Sequence, residues 1–326
     1  SFHPVWFVSI MGTGIASSIL YNYNHQWCQI LGIIMFTINS LLLLSTTVIF
    51  ILGAILYNTL PTHLYSQNNV FLGCYAMGFT SWCNMLHFLT PNQPILAYVL
   101  WWIGIALSLF TSYFIFFIIV KTKSTSMSFT LLLPVVTLTV VASSGGIILP
   151  HLPQHLKQST LVITYLLWSN SMLLSFILAT VIINSFINST IPPQQAIFTM
   201  FIPIGFMGQG SYAIQLFGVN FHHLNNSIIG ELIEEVALWI GLFLIISGLF
   251  MTFIALSSVV SSIIDNSWIK FHKGWWAMTF PLGTMALSTN QVWNIKNWYT
   301  FRVIGIIYSV ALVAIVVVCI VGCILF

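Results

Sequence analysis

Ten apolar runs, 17 to 33 residues long and separated by short polar connections, leave this chain few ways to fold. About 20 apolar residues are what an α-helix needs to cross the hydrocarbon core of a bilayer. The whole chain of 326 residues carries only seven Lys or Arg and four Asp or Glu. A water-soluble domain is roughly one-quarter charged; here the share is 3%, too little to build a surface that water will wet. A soluble enzyme, a nucleic-acid binder and a disordered scaffold are thereby excluded. The net charge of +3 is also too small and scattered to imply a nucleic-acid partner. The sequence predicts an all-α polytopic membrane protein. No shift in composition divides it, so 1–326 reads as a single transmembrane domain.

The runs cover 4–21, 27–57, 70–89, 95–120, 129–149, 160–184, 196–217, 230–262, 272–288 and 299–326. Short connections predict that the ten transmembrane helices pair as five antiparallel hairpins. The runs alternate in character. Odd-numbered runs hold 15 Gly or Pro in 98 residues; even-numbered runs hold 8 in 143, all of them Gly. The odd runs are also shorter and more polar, with Ser9 and Thr13, then Thr80, Asn84 and His87, Ser143 and Ser144, Gln209, Ser211 and Gln215, and Thr279 and Thr284. Polar or broken helices survive in a bilayer only against protein or water. The expected arrangement is an inner ring of five odd helices around a central pore, with the five even helices outside. Close helix packing explains some of the glycines, but not the five-fold alternation.

Little in the chain resembles an enzyme. There is no H-E-x-x-H, no G-x-S-x-G and no P-loop. Cys28, Cys74, Cys83, Cys319 and Cys323 show no C-x-x-C spacing and are expected to act as small buried hydrophobes. His222-His223 reads as part of a solvated loop, and His87 as either a satisfied neutral histidine or a substrate or proton contact. Glu231, Glu234 and Glu235 open the eighth run, where the helix dipole favours carboxylates. No cofactor or metal is expected. With both termini on one side, Lys121, Lys123, Lys270 and Lys273 share that side and Lys157, Lys296 and Arg302 lie opposite. Four against three predicts cytoplasmic termini. The chain opens at Ser1 without an initiator Met, so terminal tails are expected beyond it.

Three clusters could meet a solute: Met11-Gly12-Thr13-Gly14, Ser143-Ser144-Gly145-Gly146, and Gly205-Phe206-Met207-Gly208-Gln209-Gly210-Ser211. Glycines let the backbone approach an ion, and amides and hydroxyls can replace part of an anion's hydration. Tight helix packing is the competing reading of each cluster. In the ninth run, Lys273 sits at a mouth where a cation would concentrate anions. Farther on, Thr279-Phe280-Pro281 sets a ring beside a proline that would disrupt the helix at mid-membrane. On an inner helix that ring could project into the axis and close it; core packing is the other possibility.

Phe2-His3-Pro4-Val5-Trp6-Phe7, Met11-Gly12-Thr13-Gly14-Ile15 and Trp275-Trp276-Ala277-Met278-Thr279-Phe280-Pro281 resemble motifs of the tellurite-resistance/dicarboxylate transporter family, which includes the plant slow anion channels. Stretches such as Val99-Leu100-Trp101-Trp102, Ile191-Pro192-Pro193 and Phe301-Arg302-Val303-Ile304-Gly305 extend the likeness along the whole chain and are most similar to the fungal sulfite efflux branch. The resemblance implies ten helices around a central pore and a gating phenylalanine at Phe280. It also implies assembly as a homo-oligomer, a trimer in relatives. Function is then expected to be export of sulfite or bisulfite across the plasma membrane, past Lys273, Gly12, Thr13, Gly14, Ser143, Ser144, Gly208, Gln209, Thr279 and His87. The alternative is a C4-dicarboxylate (malate) transporter or a small-anion channel.

Overall fold

The computed structural model describes residues 2–122, 127–188, 191–266 and 268–325. Lys123, counted in the orientation argument, lies outside them, as do Ser1 and Phe326. Among the described residues there is helix and no strand.

Each apolar run contains one long helix. These are α1 (Phe7–Asn22), α2 (Gln26–Tyr57), α3 (Leu72–Leu89), α4 (Pro94–Thr122), α5 (Leu133–Ile148), α6 (Gln154–Ile187), α7 (Ile202–Leu224), α8 (Ile228–Asn266), α9 (Thr279–Lys296) and α10 (Tyr299–Leu325). Eight of the apolar stretches are long and apolar enough to cross a bilayer; those of α3 and α9 are not among them. The reason is polarity: α3 carries Thr80, Asn84 and His87, and α9 carries Thr279, Thr284, Ser288 and Thr289. All of those side chains except the half-buried Asn84 are buried, as are 11 of 18 residues in each helix.

Burial follows the alternation of glycine and proline. The apolar windows of the stretches holding α1, α5 and α7 are 83–94% buried, whereas those of α2, α4, α6, α8 and α10 are 6–44% buried. Each odd helix packs on the even helix that follows it. The odd helices also pack on one another in a cycle: α1 on α3, α3 on α5, α5 on α7, α7 on α9, and α9 back on α1.

The odd helices start alike. A 3-10 turn leads into each one: Pro4–Trp6, Gln67–Phe71, Phe129–Leu132, Gln194–Phe201 and Lys273–Met278. Pro134, Pro203 and Pro281 fall in the first α-turn that follows, where a missing N–H breaks no helical bond. Pro281 therefore does not interrupt a helix, as its sequence context suggests. It sits where 3-10 geometry gives way to α, directly after Phe280. At the other end α9 runs two turns past the expected stop at Ser288, whose hydroxyl, like that of Thr289, bonds back to the Met285 carbonyl, at 3.1 and 2.7 Å. His222 and His223 likewise close the last turn of α7 instead of lying in a loop.

Candidate functional site

All five odd helices run in the same direction, so their N-terminal ends meet at one end of the molecule. There they enclose an open chamber of about 750 Å³. Its wall includes His3 and Val5 before α1, Gln67 and Asn68 before α3, Ser128 and Thr130 before α5, Gln195 and Thr199 before α7, and Lys273 before α9. A helix N-terminus carries roughly half a positive charge and unbonded N–H groups. Five of them around one chamber, with a lysine at the rim, make a field that draws anions. The Lys273 ammonium lies 4.6 Å from the centre of the Trp6 ring, joining the entry turns of α1 and α9. His3 and His272 cap those two turns: His3 Nδ1 accepts from Val5 N–H at 3.2 Å, and His272 Nδ1 from Gly274 N–H at 3.1 Å. Burial holds both imidazoles below the ordinary histidine range, and the charges of Lys273 and His63 add to this at His3.

The chamber ends at Phe280, which is only 3% exposed. The same residue lines a second, much smaller cavity of about 20 Å³, room for one water. The face each helix gives to the two cavities steps along it by three and four residues. On α1 it is Val8, Met11, Ile15, Ser18 and Asn22; on α3, Met77, Ser81, Asn84 and Phe88. On α5 it is Leu133, Val136, Val140, Ser143 and Ile147; on α7, Ile202, Gly205, Gln209 and Tyr212. The 3-10 turn before α9 contributes Ala277, and α9 itself Phe280, Pro281 and Leu287. Toward the mouth these faces are apolar; beyond Phe280 hydroxyls and amides are interspersed with Ile15, Phe88, Val140, Ile147 and Leu287.

Most of the residues singled out in the sequence fall at the seams between neighbouring odd helices. A Cβ on Gly14 would stand 2.9 Å from Ser81 Cβ, between α1 and α3. Ser144 donates to Asn84 Oδ1 at 2.5 Å, between α5 and α3. Gln209 Nε2 donates to Ser143 Oγ, between α7 and α5. A Cβ on Gly208 would meet Thr284 Oγ1 at 2.6 Å and Met285 N at 2.8 Å, between α7 and α9. A Cβ on Gly12 would collide with the Thr279 hydroxyl, between α1 and α9. Of these residues Asn84, Ser143 and Gln209 also line the small cavity, as Lys273 lines the chamber. Thr13 turns away, bonding the Ser9 carbonyl at 2.8 Å and the Asn39 amide of α2 at 3.0 Å. His87 lies near the far end of α3, with Nε2 3.3 Å from His151 Nδ1, and lines neither cavity. Two of the three carboxylates near the start of α8 are tied down: Glu234 to His222, Glu235 to Lys296.

Comparison with known proteins decides the family. A family model described as voltage-dependent anion channel matches residues 1–324, practically the entire chain. The chain belongs to the voltage-dependent anion channel family. Members similar to it include the sulfite efflux pump SSU1 of Candida albicans, 34% identical over 100% of this chain and 74% of that protein. The sulfite efflux pump SSU1 of Saccharomyces cerevisiae is 30% identical over 94% of this chain and 83% of its own length. An uncharacterized transporter of Methanocaldococcus jannaschii is 25% identical over 94% and 89%. The family and these relatives are channels and transporters, not enzymes. Together with the apolar helices they make this a multi-pass membrane protein of an anion-transporting family.

Within this anion channel fold the sequence reading passed over Ser18 and Ser81, which line the small cavity, and the two histidine caps at the mouth. Ser18 and Ser81 were findable: each stands one helical turn before an asparagine, Asn22 and Asn84, on the same helix face. The caps were findable too, because His3 precedes Pro4 and His272 precedes the Lys273-Gly274 turn.

Proposed function

We propose that the protein exports sulfite or bisulfite through a path enclosed by α1, α3, α5, α7 and α9, with Phe280 as its gate. The observation that carries this reading is the position of one ring between an anion-attracting chamber and a small cavity about half of whose lining residues carry hydroxyls or amides. An anion is drawn to the chamber by Lys273 and the helix N-termini. It waits above Phe280 and crosses when the ring turns aside. The space next to the ring favours such movement: a Cβ on Gly205 would still stand 3.9 Å from Phe280 Cδ1. Past the ring, neutral donors bind weakly enough to let the ion leave. The polar seams at Ser143, Ser144, Gln209 and Thr279, and the glycines Gly12, Gly14 and Gly208, hold the five helices close enough to leave a narrow route.

Sulfite is preferred as substrate because the relatives just described are sulfite efflux pumps. The cavity beyond Phe280 also suits a compact oxyanion better than malate, whose two carboxylates would need two separated cationic groups. Lys273 supplies one, and no second lysine or arginine lines either cavity among the described residues. In this reading the termini and the chamber face the cytoplasm, the membrane is the plasma membrane, and the unit is a homotrimer with one path per subunit. The test is sulfite efflux from liposomes holding the purified protein. Phe280→Ala should raise the rate about tenfold, whereas an unchanged rate would remove Phe280 from the gate.

A further inference from the structure

The small cavity beyond Phe280 is asymmetric in its hydrogen-bonding chemistry. Gln209, 3% exposed, forms part of its wall. The hydroxyl hydrogen of Ser143 is committed to the Val140 carbonyl at 2.8 Å. With its hydrogen placed there, Ser143 Oγ accepts from the NH2 group of Gln209. Gln209 Oε1 is left buried in the wall with no protein hydrogen bond. Also in the wall, Asn84 gives its carbonyl to Ser144 at 2.5 Å, which leaves its NH2 group as a donor. Gln215 Oε1 and Asn39 Nδ2 also lack protein partners, but neither residue lines a cavity. The unmet acceptor of Gln209 thus stands out by its place on the proposed route.

We infer that Gln209 is a specificity residue that reads an O–H group on the transported ion, selecting a singly protonated oxyanion, bisulfite in its hydroxyl form, over anions that carry no hydroxyl. This inference rests on the transport reading given above. An anion without a proton offers only acceptors, so it meets Asn84 well but faces Gln209 Oε1 with like against like. A hydroxyl-bearing monoanion satisfies both groups: its oxygens accept from Asn84 and its O–H donates to Gln209. A buried acceptor left unmatched penalises the wrong ligand more than a matched one rewards the right ligand. With Phe280 in place the cavity holds about one water, so this matching occurs as the ring swings away and the ion takes its place.

The hydroxyl form of bisulfite and methanesulfinate make the decisive pair, because a methyl group replaces the O–H at nearly constant size and charge. Liposomes containing the purified protein are loaded with one or the other at a pH where bisulfite predominates, and the leak of protein-free liposomes is subtracted. Bisulfite should leave at least about tenfold faster. In Gln209→Met the ratio should fall to within about twofold of unity, because the acceptor is gone while bulk is kept. Ser143→Ala, which keeps Gln209 but frees its amide to turn, should lower the ratio severalfold. Equal rates for the two ions in the unmodified protein, or an unchanged ratio in both variants, would overturn the inference while leaving transport intact. If neither ion crosses, transport itself fails and the inference falls with it.

Discussion

α7 and α8 are joined by a short turn and pack against each other along their length, yet they obey opposite rules. α7 carries Gly205, Gly208, Gly210, Gln209 and Gln215 and is almost wholly buried; α8 is richer in large apolar residues and shows Trp239, Phe243 and Phe253 to the outside. In a water-soluble protein the greasier helix would be the hidden one. Here the surroundings are hydrocarbon, so apolarity marks exposure, and small or polar residues mark the contact of helix with helix. The same contrast separates every odd helix from its even partner.

The largest effect should come from adding bulk on the buried side of that contrast. Gly208→Val places methyl groups against the α9 backbone at Met285, which cannot move aside, and should cost about 1–3 kcal/mol or prevent folding. Gly53→Val on α2 meets only the Thr59 hydroxyl, at 3.3 Å, and should be tolerated. Monodispersity and yield after solubilisation would separate the two, and equal behaviour would break the comparison. Next comes charge at the mouth. Lys273→Gln should reduce anion uptake severalfold at low salt and flatten its salt dependence, whereas Lys157→Gln, outside the chamber, should do neither; flux measured across a salt series checks both.

A smaller effect concerns acid. His3 and His272 cap their turns through an unprotonated Nδ1, and burial lowers both pKa values. A group whose native pKa is depressed stabilises fully above its unfolded value and loses that contribution as pH falls through the native one. Lowering pH from about 7.5 to about 5 should therefore loosen the entry turns of α1 and α9, read as lost amide-exchange protection at Val5 and Gly274. Asn in place of either histidine keeps a cap acceptor and should abolish that pH dependence at its own turn. The smallest effect is expected on the lipid side. Thr180→Ala on α6, whose hydroxyl only bonds back to the Phe176 carbonyl, should change thermal stability by less than about 0.5 kcal/mol.

The alternation of the helices was legible because glycine and proline are placed for contact, and contact is what distinguishes the two sets. The seams were legible for the same reason: Gly12, Gly14 and Gly208 announce where another helix comes close. The cavity-facing side was not. A helix buried all round has no polar face to contrast with an apolar one, and the face of α1 that meets the cavities begins with Val8, Met11 and Ile15, indistinguishable from core. Nor could the sequence place Pro281 in a first turn, since 3-10 geometry through Lys273–Met278 leaves no periodic signature of its own. α3 and α9 are a further case: their polarity was read as a mark of the interior, yet it also keeps them below the apolarity that a membrane crossing requires on its own.

The shared direction of α1, α3, α5, α7 and α9 has an electrical consequence. Their N-terminal ends meet at the open chamber, while their last turns, at the other end, carry His87, His222, His223 and Lys296. The two faces of the molecule are not interchangeable, so the electrostatic profile along the axis between them is asymmetric and the two polarities of an applied voltage tilt it differently. In a planar bilayer with every copy inserted the same way round, current should rectify, passing more readily under one polarity of voltage than under the other.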